Sequence, residues 1–342
     1  MPYSDHINRR DMLARCGAGM GTLALAALLA DEGLLAGEAE ADLPQKPQGT
    51  AKHVIFLFMS GAPSQVDTFD PKPLLAELEG QDVPESIAQN VPRIKRSGLK
   101  NLMASPFKFK PHGDCGMQVS ELLPETARHV DDLCVLRSLQ HRNPVHGPAE
   151  CIALTGTQVG DRPSLGSWLT YGLGSENENL PAFLVMNAGS SGMQFPQAAG
   201  WSAGFLPARF QGTVVQRDGI RHVKMPAPYN DASRREQLEL LNWLKRRHMQ
   251  RLGENSELEA RIRSYELAFR MQTAAPEVFD LTKETQQIKD AYGMGNKTTA
   301  EMATQCLLAR RMVEAGVRFV QIRLGGWDAH AYAAGNHRSM CA

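Results

Sequence analysis

Two apolar segments far apart in the chain each end in a turn that carries polar side chains. Residues 53–59 lead towards Asp67, and residues 317–324 lead through two glycines to Asp328 and His330. Short apolar runs of this kind are typical of strands that are buried on both faces of a parallel sheet. Ligands of open α/β sheets bind beyond the carboxyl ends of the strands, so both segments predict a functional site at one edge of a sheet.

Strand and helix patterns alternate along the rest of the chain, which predicts the α/β class with a mostly parallel sheet. The predicted strands and helices are: strands at 133–138 and 181–186, and helices at 120–129, 149–154, 233–272 (two helices) and 299–315. Residues 187–230 are rich in Gly, Pro and Gln, and they predict a long loop over one end of the sheet.

The N-terminal region has the pattern of an export signal. Arg9 and Arg10 form a twin-arginine pair, and an apolar stretch rich in Gly and Ala follows at residues 18–30. This pattern predicts a signal segment at residues 1–41, recognised by the Tat export machinery, and a location in the periplasm or outside the cell. The stretch is short and interrupted by glycines, so no stable membrane span is expected after signal cleavage. A polar linker at residues 42–52 precedes a predicted domain at residues 53–342.

Charge and cysteine usage exclude other classes. The 37 Lys and Arg residues balance 37 Asp and Glu residues, without a basic block, so no nucleic-acid partner is expected. The six cysteines include no C-x-x-C pair, which argues against a zinc knuckle.

Several side chains are candidates for chemistry. His141 and His146 lie between a predicted strand and a predicted helix; we interpret His141 as a metal ligand and His146 as a metal ligand or a general acid or base. Asp67 is favoured over Asp70 as a metal ligand, because Asp70 precedes a proline and also fits a turn. Ser64 is a candidate nucleophile if a metal ion activates its hydroxyl.

Asp328 and His330 are two residues apart, so a turn can bring both to one ion. Oxygen and nitrogen ligands suit zinc or a related divalent metal.

The segments 58–73, 146–156 and 326–330, together with the twin-arginine leader, resemble an exported sulfatase-like family of the alkaline phosphatase superfamily, whose members carry a domain of unknown function. The resemblance extends over the chain after residue 50. It implies a three-layer α/β/α sandwich with divalent metals at the carboxyl edge of the sheet. It also implies hydrolysis of phosphate or sulfate esters through a Ser, Thr or formylglycine nucleophile.

By position, Asp67 or Ser64 resembles the first-strand metal ligand, and Asp328 with His330 resembles a ligand pair of one metal. His146 lies at the position of the superfamily's nucleophile, and a histidine there differs from the superfamily pattern. The sulfatase signature Cys-x-Pro/Ala-x-Arg is also absent from the sequence. Relatives continue beyond the equivalent of Ala342 with a further strand and an Asp-His pair. The resemblance therefore implies a sheet that lacks its last strands and has an open edge.

These observations predict an exported hydrolase that uses zinc, calcium or manganese and acts on sulfated or phosphorylated small molecules or polysaccharides. The alternatives are a non-catalytic exported binding protein on the same scaffold and an inactive fragment.

Overall fold

The computed structural model describes residues 50–89, 101–141, 143, 145–188, 199–215, 231–252, 256–329 and 332–341. The predicted signal segment and His330 lie outside these ranges. The described helices, in chain order, are α1 (Pro73–Glu77), α2 (Glu85–Ala88), α3 (Pro124–Ala127), α4 (His146–Thr155), α5 (Leu165–Leu173), α6 (Asp231–Leu252), α7 (Ser256–Phe279), α8 (Gln286–Ala291), α9 (Ala300–Glu314) and α10 (Ala333–Cys341). None of these helices is both long and apolar enough to cross a membrane.

The described strands form two sheets. The strands are β1 (Val54–Met59), β2 (Phe109–His112), β3 (Met117–Ser120), β4 (Phe183–Ala188), β5 (Thr213–Val215) and β6 (Phe319–Leu324). The larger sheet has the order β1-β6-β4-β5, and all its pairs are parallel. The second sheet is the antiparallel hairpin of β2 and β3. The α/β class and the mainly parallel sheet are therefore as predicted.

Contacts divide the chain into two compact units. The first, called the sheet unit, contains the described residues up to Ser60 and residues 141–325, and it holds the parallel sheet. The second, called the hairpin unit, contains residues 61–140 and the described residues after Gly325.

Helices cover both faces of the sheet within the sheet unit. On one face, Val320 and Ile322 belong to a buried cluster with Leu308 and Met312 of α9. On the other face, Phe319 packs with Val185 and with Leu165 of α5 among others. Alternate residues of a strand point to opposite faces, so the apolar run of β6 supplies both clusters. β1 lies at an edge of the described sheet, where Ile55 and Leu57 are 40% and 48% exposed.

Two sequence predictions in the hairpin unit are wrong. Residues 133–138 form no strand, and Leu136 is 65% exposed. A short apolar run gives a strand only where a neighbouring strand accepts its backbone hydrogen bonds, and this one has no such neighbour among the described residues. The helix predicted at 120–129 is reduced to α3, because Ser120 is the last residue of β3.

Candidate functional site

The carboxyl ends of β1 and β6 lie side by side. Met59 pairs with Leu324 in parallel register. The amide of Ser60 extends the ladder by donating to the carbonyl of Leu324 at 2.8 Å. The two chain segments that follow these strands therefore start side by side at the carboxyl edge of the sheet, which is the edge where α/β proteins bind ligands.

A buried ion pair occupies this edge inside the sheet unit. Nη2 of Arg323, near the end of β6, donates to Oε2 of Glu150 on α4 at 3.2 Å, and Oγ of Ser60 donates to Oε1 of the same carboxylate. The side chains of Arg323 and Glu150 are 2% and 8% exposed. Removal of two charges from water costs several kcal/mol per ion, and only close partners offset this cost.

The surroundings of Arg323 are largely aromatic. Its guanidinium lies 5.9 Å from the ring centres of both Phe58 and Trp201. Burial lowers the pKa of Arg323, and the Glu150 carboxylate opposes this shift. Among the described residues, Nε and Nη1 of Arg323 have no hydrogen-bond partner, and the same holds for Nε2 of Gln321. Glu150 is therefore the only hydrogen-bond acceptor of the described residues that contacts this guanidinium.

The ion pair connects the N-terminal half of α4 to the end of β6. His146 is the first residue of α4, and Glu150 follows four residues later, so both lie on one helix face. Asn143 supports the start of the helix, since its Oδ1 accepts from the amide of Val145 at 2.9 Å. His141 precedes this turn and is exposed in a non-helical segment. The structure confirms a helix in this place, although it begins at His146 and not at the predicted Ala149, and Glu150 connects it to the carboxyl end of β6.

Cys151, adjacent to Glu150, is a free and buried thiol. Burial raises its pKa, the Glu150 carboxylate raises it further, and Arg323 acts in the opposite direction. A thiol with a raised pKa is a poor nucleophile at neutral pH. Cys151 is therefore a packing residue of α4.

Asp67 is buried in the hairpin unit. It ends a short 3₁₀ turn, its amide donates to the carbonyl of Ser64 at 3.1 Å, and it is 5% exposed. Its Oδ1 has no hydrogen-bond partner in the described part of the chain. A buried carboxylate oxygen without a donor is costly, and a cation is the ligand that would stabilise it. The structure thereby distinguishes Asp67 from Asp70, which forms a 2.8 Å ion pair with Lys72.

The segments that follow β1 and β6 pack against each other in the hairpin unit. Gly61 has a φ of +94°, and a Cβ atom added to it would lie 2.4 Å from the amide nitrogen of Asp328 and 2.8 Å from its Cβ. The next residue, Ala62, also has a positive φ of 66°. The close approach requires glycine at position 61. It brings the exposed Asp328 to the start of the segment that leads to Ser64 and Asp67.

Replacement of Gly61 by alanine tests this contact. The left-handed backbone costs alanine about 1–2 kcal/mol, and the clash with Asp328 adds about 1–3 kcal/mol. Gly80→Ala is the matched control, because Gly80 has a φ of +77° and nothing within 4 Å of an added Cβ. Urea denaturation should show a larger loss of the free energy of unfolding for Gly61→Ala. Equal losses for the two variants would contradict the close packing.

His337 is a site residue that the sequence predictions missed. Its Nε2 accepts from the amide of Ser64 at 2.9 Å, and its Nδ1 lies 2.9 Å from the carbonyl of Ala333. These partners fit the neutral tautomer with the proton on Nδ1, because an amide can only donate and a carbonyl can only accept. The imidazole is 3% exposed and packs edge-on against Trp327. It fixes the backbone of Ser64, and no spacing in the sequence indicated this pairing.

The structure thus divides the predicted site residues between the two units. Ser64, Asp67 and Asp328 lie in the hairpin unit, and His141 and His146 lie in the sheet unit. Among the described residues, no group of three or more His, Cys, Asp and Glu side chains is placed to hold a metal ion. His330, the predicted partner of Asp328, lies outside them. A shared metal site remains a prediction.

Comparison with known protein families shows that the chain matches one family model. A family model described as "Protein of unknown function (DUF1501)" matches residues 51–342. No curated protein and no solved structure matches the chain. The match covers the whole predicted domain at residues 53–342, and its description names no substrate.

Proposed function

The chain belongs to the DUF1501 family, and we propose that it is an exported, metal-dependent hydrolase of sulfate or phosphate esters. The proposed substrates are sulfated or phosphorylated small molecules or polysaccharides. The proposal includes an alkaline-phosphatase-like α/β/α sandwich, and the parallel sheet with helices on both faces supports this fold. The twin-arginine pattern at residues 9–10 supports export to the periplasm or the cell exterior.

The observation that carries the proposal is the buried carboxylate of Asp67. Its unpartnered Oδ1 fits a divalent cation, which would supply the positive charge that the described protein atoms do not. Asp328 is the second proposed ligand and packs through its backbone against Gly61. His330 and His141 are further proposed ligands, with zinc, calcium or manganese as the metal.

A bound metal ion would polarise an ester oxygen and lower the pKa of an attacking hydroxyl or water. In this proposal, Ser64 and His146 have different roles. Ser64 is the candidate nucleophile, and His337 holds its backbone amide in place. His146 is the candidate general acid or base, or a metal ligand. Glu150 anchors the helix that begins at His146.

Turnover of a sulfate or phosphate ester tests the proposal. The protein, loaded in turn with zinc, calcium and manganese, is incubated with an aryl sulfate and an aryl phosphate, and release of the phenol is measured. Asp328→Asn should lower kcat/KM at least about 100-fold, corresponding to about 2.7 kcal/mol of lost transition-state stabilisation. Asp114→Asn, at an exposed aspartate of the β2–β3 turn, is the control and should leave the rate unchanged.

Metal-loaded protein that cleaves neither ester would overturn the hydrolase proposal. Full activity in Asp328→Asn would exclude Asp328 as a ligand. Binding of the esters without cleavage would favour the alternative, a non-catalytic exported binding protein on the same scaffold.

A further inference from the structure

A large cavity lies in the sheet unit, away from the carboxyl edge of the sheet. Its volume is about 990 Å³. Pro181, Ala182 and Phe183 line it at the amino-terminal end of β4, together with residues 208–213 and side chains of α6 and α7. Ligand cavities in proteins span about 300–1,000 Å³, so this one has room for a ligand of at least disaccharide size.

The charges that line the cavity are mainly positive. The lining includes four cationic residues, Arg209, Lys245, Arg263 and Arg270, and two acidic residues, Glu178 and Glu266. A cavity with excess positive charge attracts anions, and guanidinium groups bind carboxylate, sulfate and phosphate in a bidentate manner.

Contacts with the protein hold two of these groups in place. Nε of Arg270 donates to the backbone carbonyl of Glu178 at 2.8 Å, while its terminal nitrogens make no hydrogen bond to described residues. Nδ2 of Asn242 donates to Oε1 of Glu266 at 3.0 Å. The cavity therefore presents an oriented guanidinium and an oriented carboxylate, which limits the entropy lost on binding.

An aromatic ring completes the lining. Phe210 lines the cavity, packs edge-on against Tyr171 at 5.2 Å, and lies under the guanidinium of Arg209 at 4.7 Å. A fixed ring packs against the C–H face of a sugar, and a carboxylate such as Glu266 accepts hydrogen bonds from hydroxyl groups. Cations such as those that line this cavity would bind an acidic substituent of such a sugar.

We propose that this cavity binds an anionic saccharide, such as a sulfated disaccharide unit of a polysaccharide. The site is distinct from the proposed hydrolytic residues, since none of them lines the cavity. It would hold a polymer chain without taking part in ester cleavage.

Isothermal titration calorimetry of the whole protein tests the proposal. The probes are a sulfated chondroitin disaccharide, its unsulfated counterpart and inorganic sulfate. Lys245→Met and Arg270→Gln should each weaken binding of the sulfated disaccharide at least about tenfold, the loss expected for one charge-assisted hydrogen bond. Two variants are used so that misfolding of one does not decide the result, and circular dichroism shows whether each variant is folded.

Two controls separate this site from the hydrolytic proposal. Arg247→Gln removes a cation of α6 that stacks on Trp243 and does not line the cavity, so binding should persist. Binding should also persist in Asp328→Asn, whether or not that variant hydrolyses esters.

The proposal is overturned by any of four results. These are no binding of the sulfated disaccharide, equal binding of the unsulfated form, equally tight binding of inorganic sulfate alone, or undiminished binding in both Lys245→Met and Arg270→Gln.

Discussion

Replacing Glu150 by alanine is expected to lower the free energy of unfolding by about 3–5 kcal/mol, the cost of leaving one charge of a buried pair without its partner. Arg323 is 2% exposed and has no other carboxylate partner among the described residues. Ser60 would lose the acceptor of its hydroxyl in the same variant. Urea denaturation followed by circular dichroism measures the change.

The control for Glu150→Ala is an exposed ion pair. Glu125 and Arg128 are 81% and 72% exposed and 2.9 Å apart, and Glu125→Ala should cost less than about 1 kcal/mol. The double variant Glu150→Leu with Arg323→Met removes both charges, and it should recover much of the stability lost in Glu150→Ala. A loss below about 1 kcal/mol for Glu150→Ala would show that the pair is not a structural element.

Replacing Asp67 by asparagine is expected to abolish stabilisation by metal. A cation present at about 100 times its dissociation constant adds about 2.7 kcal/mol to the free energy of unfolding, and the variant should lose this gain. Thermal denaturation with and without zinc, calcium and manganese measures the effect, and elemental mass spectrometry counts the bound metal. Without metal, the variant should be at least as stable as the wild type, because a buried carboxylate with an unpartnered oxygen has been removed.

Asp70→Asn is the matched control for Asp67→Asn. Asp70 lies three residues away and already has Lys72 as its ion partner, so this variant should retain the stabilisation by metal. Loss of the metal effect in Asp70→Asn but not in Asp67→Asn would transfer the proposed ligand role to Asp70. If the wild type gains no stability from any of the three metals, the metal site is rejected.

Three of the four described strands of the parallel sheet were predictable because their signals are local, whereas β5 lies within residues 187–230, which were predicted as a long loop. The apolar runs at 53–59, 181–186 and 317–324 became β1, β4 and β6, shifted by no more than two residues at either end. The helix predicted at 299–315 became α9. β4 and β6 are buried on both faces and α9 carries regular helical spacing, which leaves few alternative conformations. β1 was recognised by its apolar run, although it lies at an edge of the described sheet.

The hairpin unit was less predictable. The β2–β3 hairpin falls in a region with weak periodicity, and the apolar residues 133–138 lie on the surface. Short segments take their structure from the neighbours on which they pack, and their own sequence does not specify those neighbours.

The sequence by itself determined which residues follow the strands of the sheet, and therefore that Ser64, Asp67 and Asp328 lie in the segments that leave two apolar runs. Only the tertiary structure decided the partners of the buried polar groups. Glu150 and Arg323 are 173 residues apart in the chain, and Ser64 and His337 are 273 apart. Such pairs depend on how strands and helices pack side by side, because a buried charge or amide must find a partner wherever packing brings one within hydrogen-bond distance.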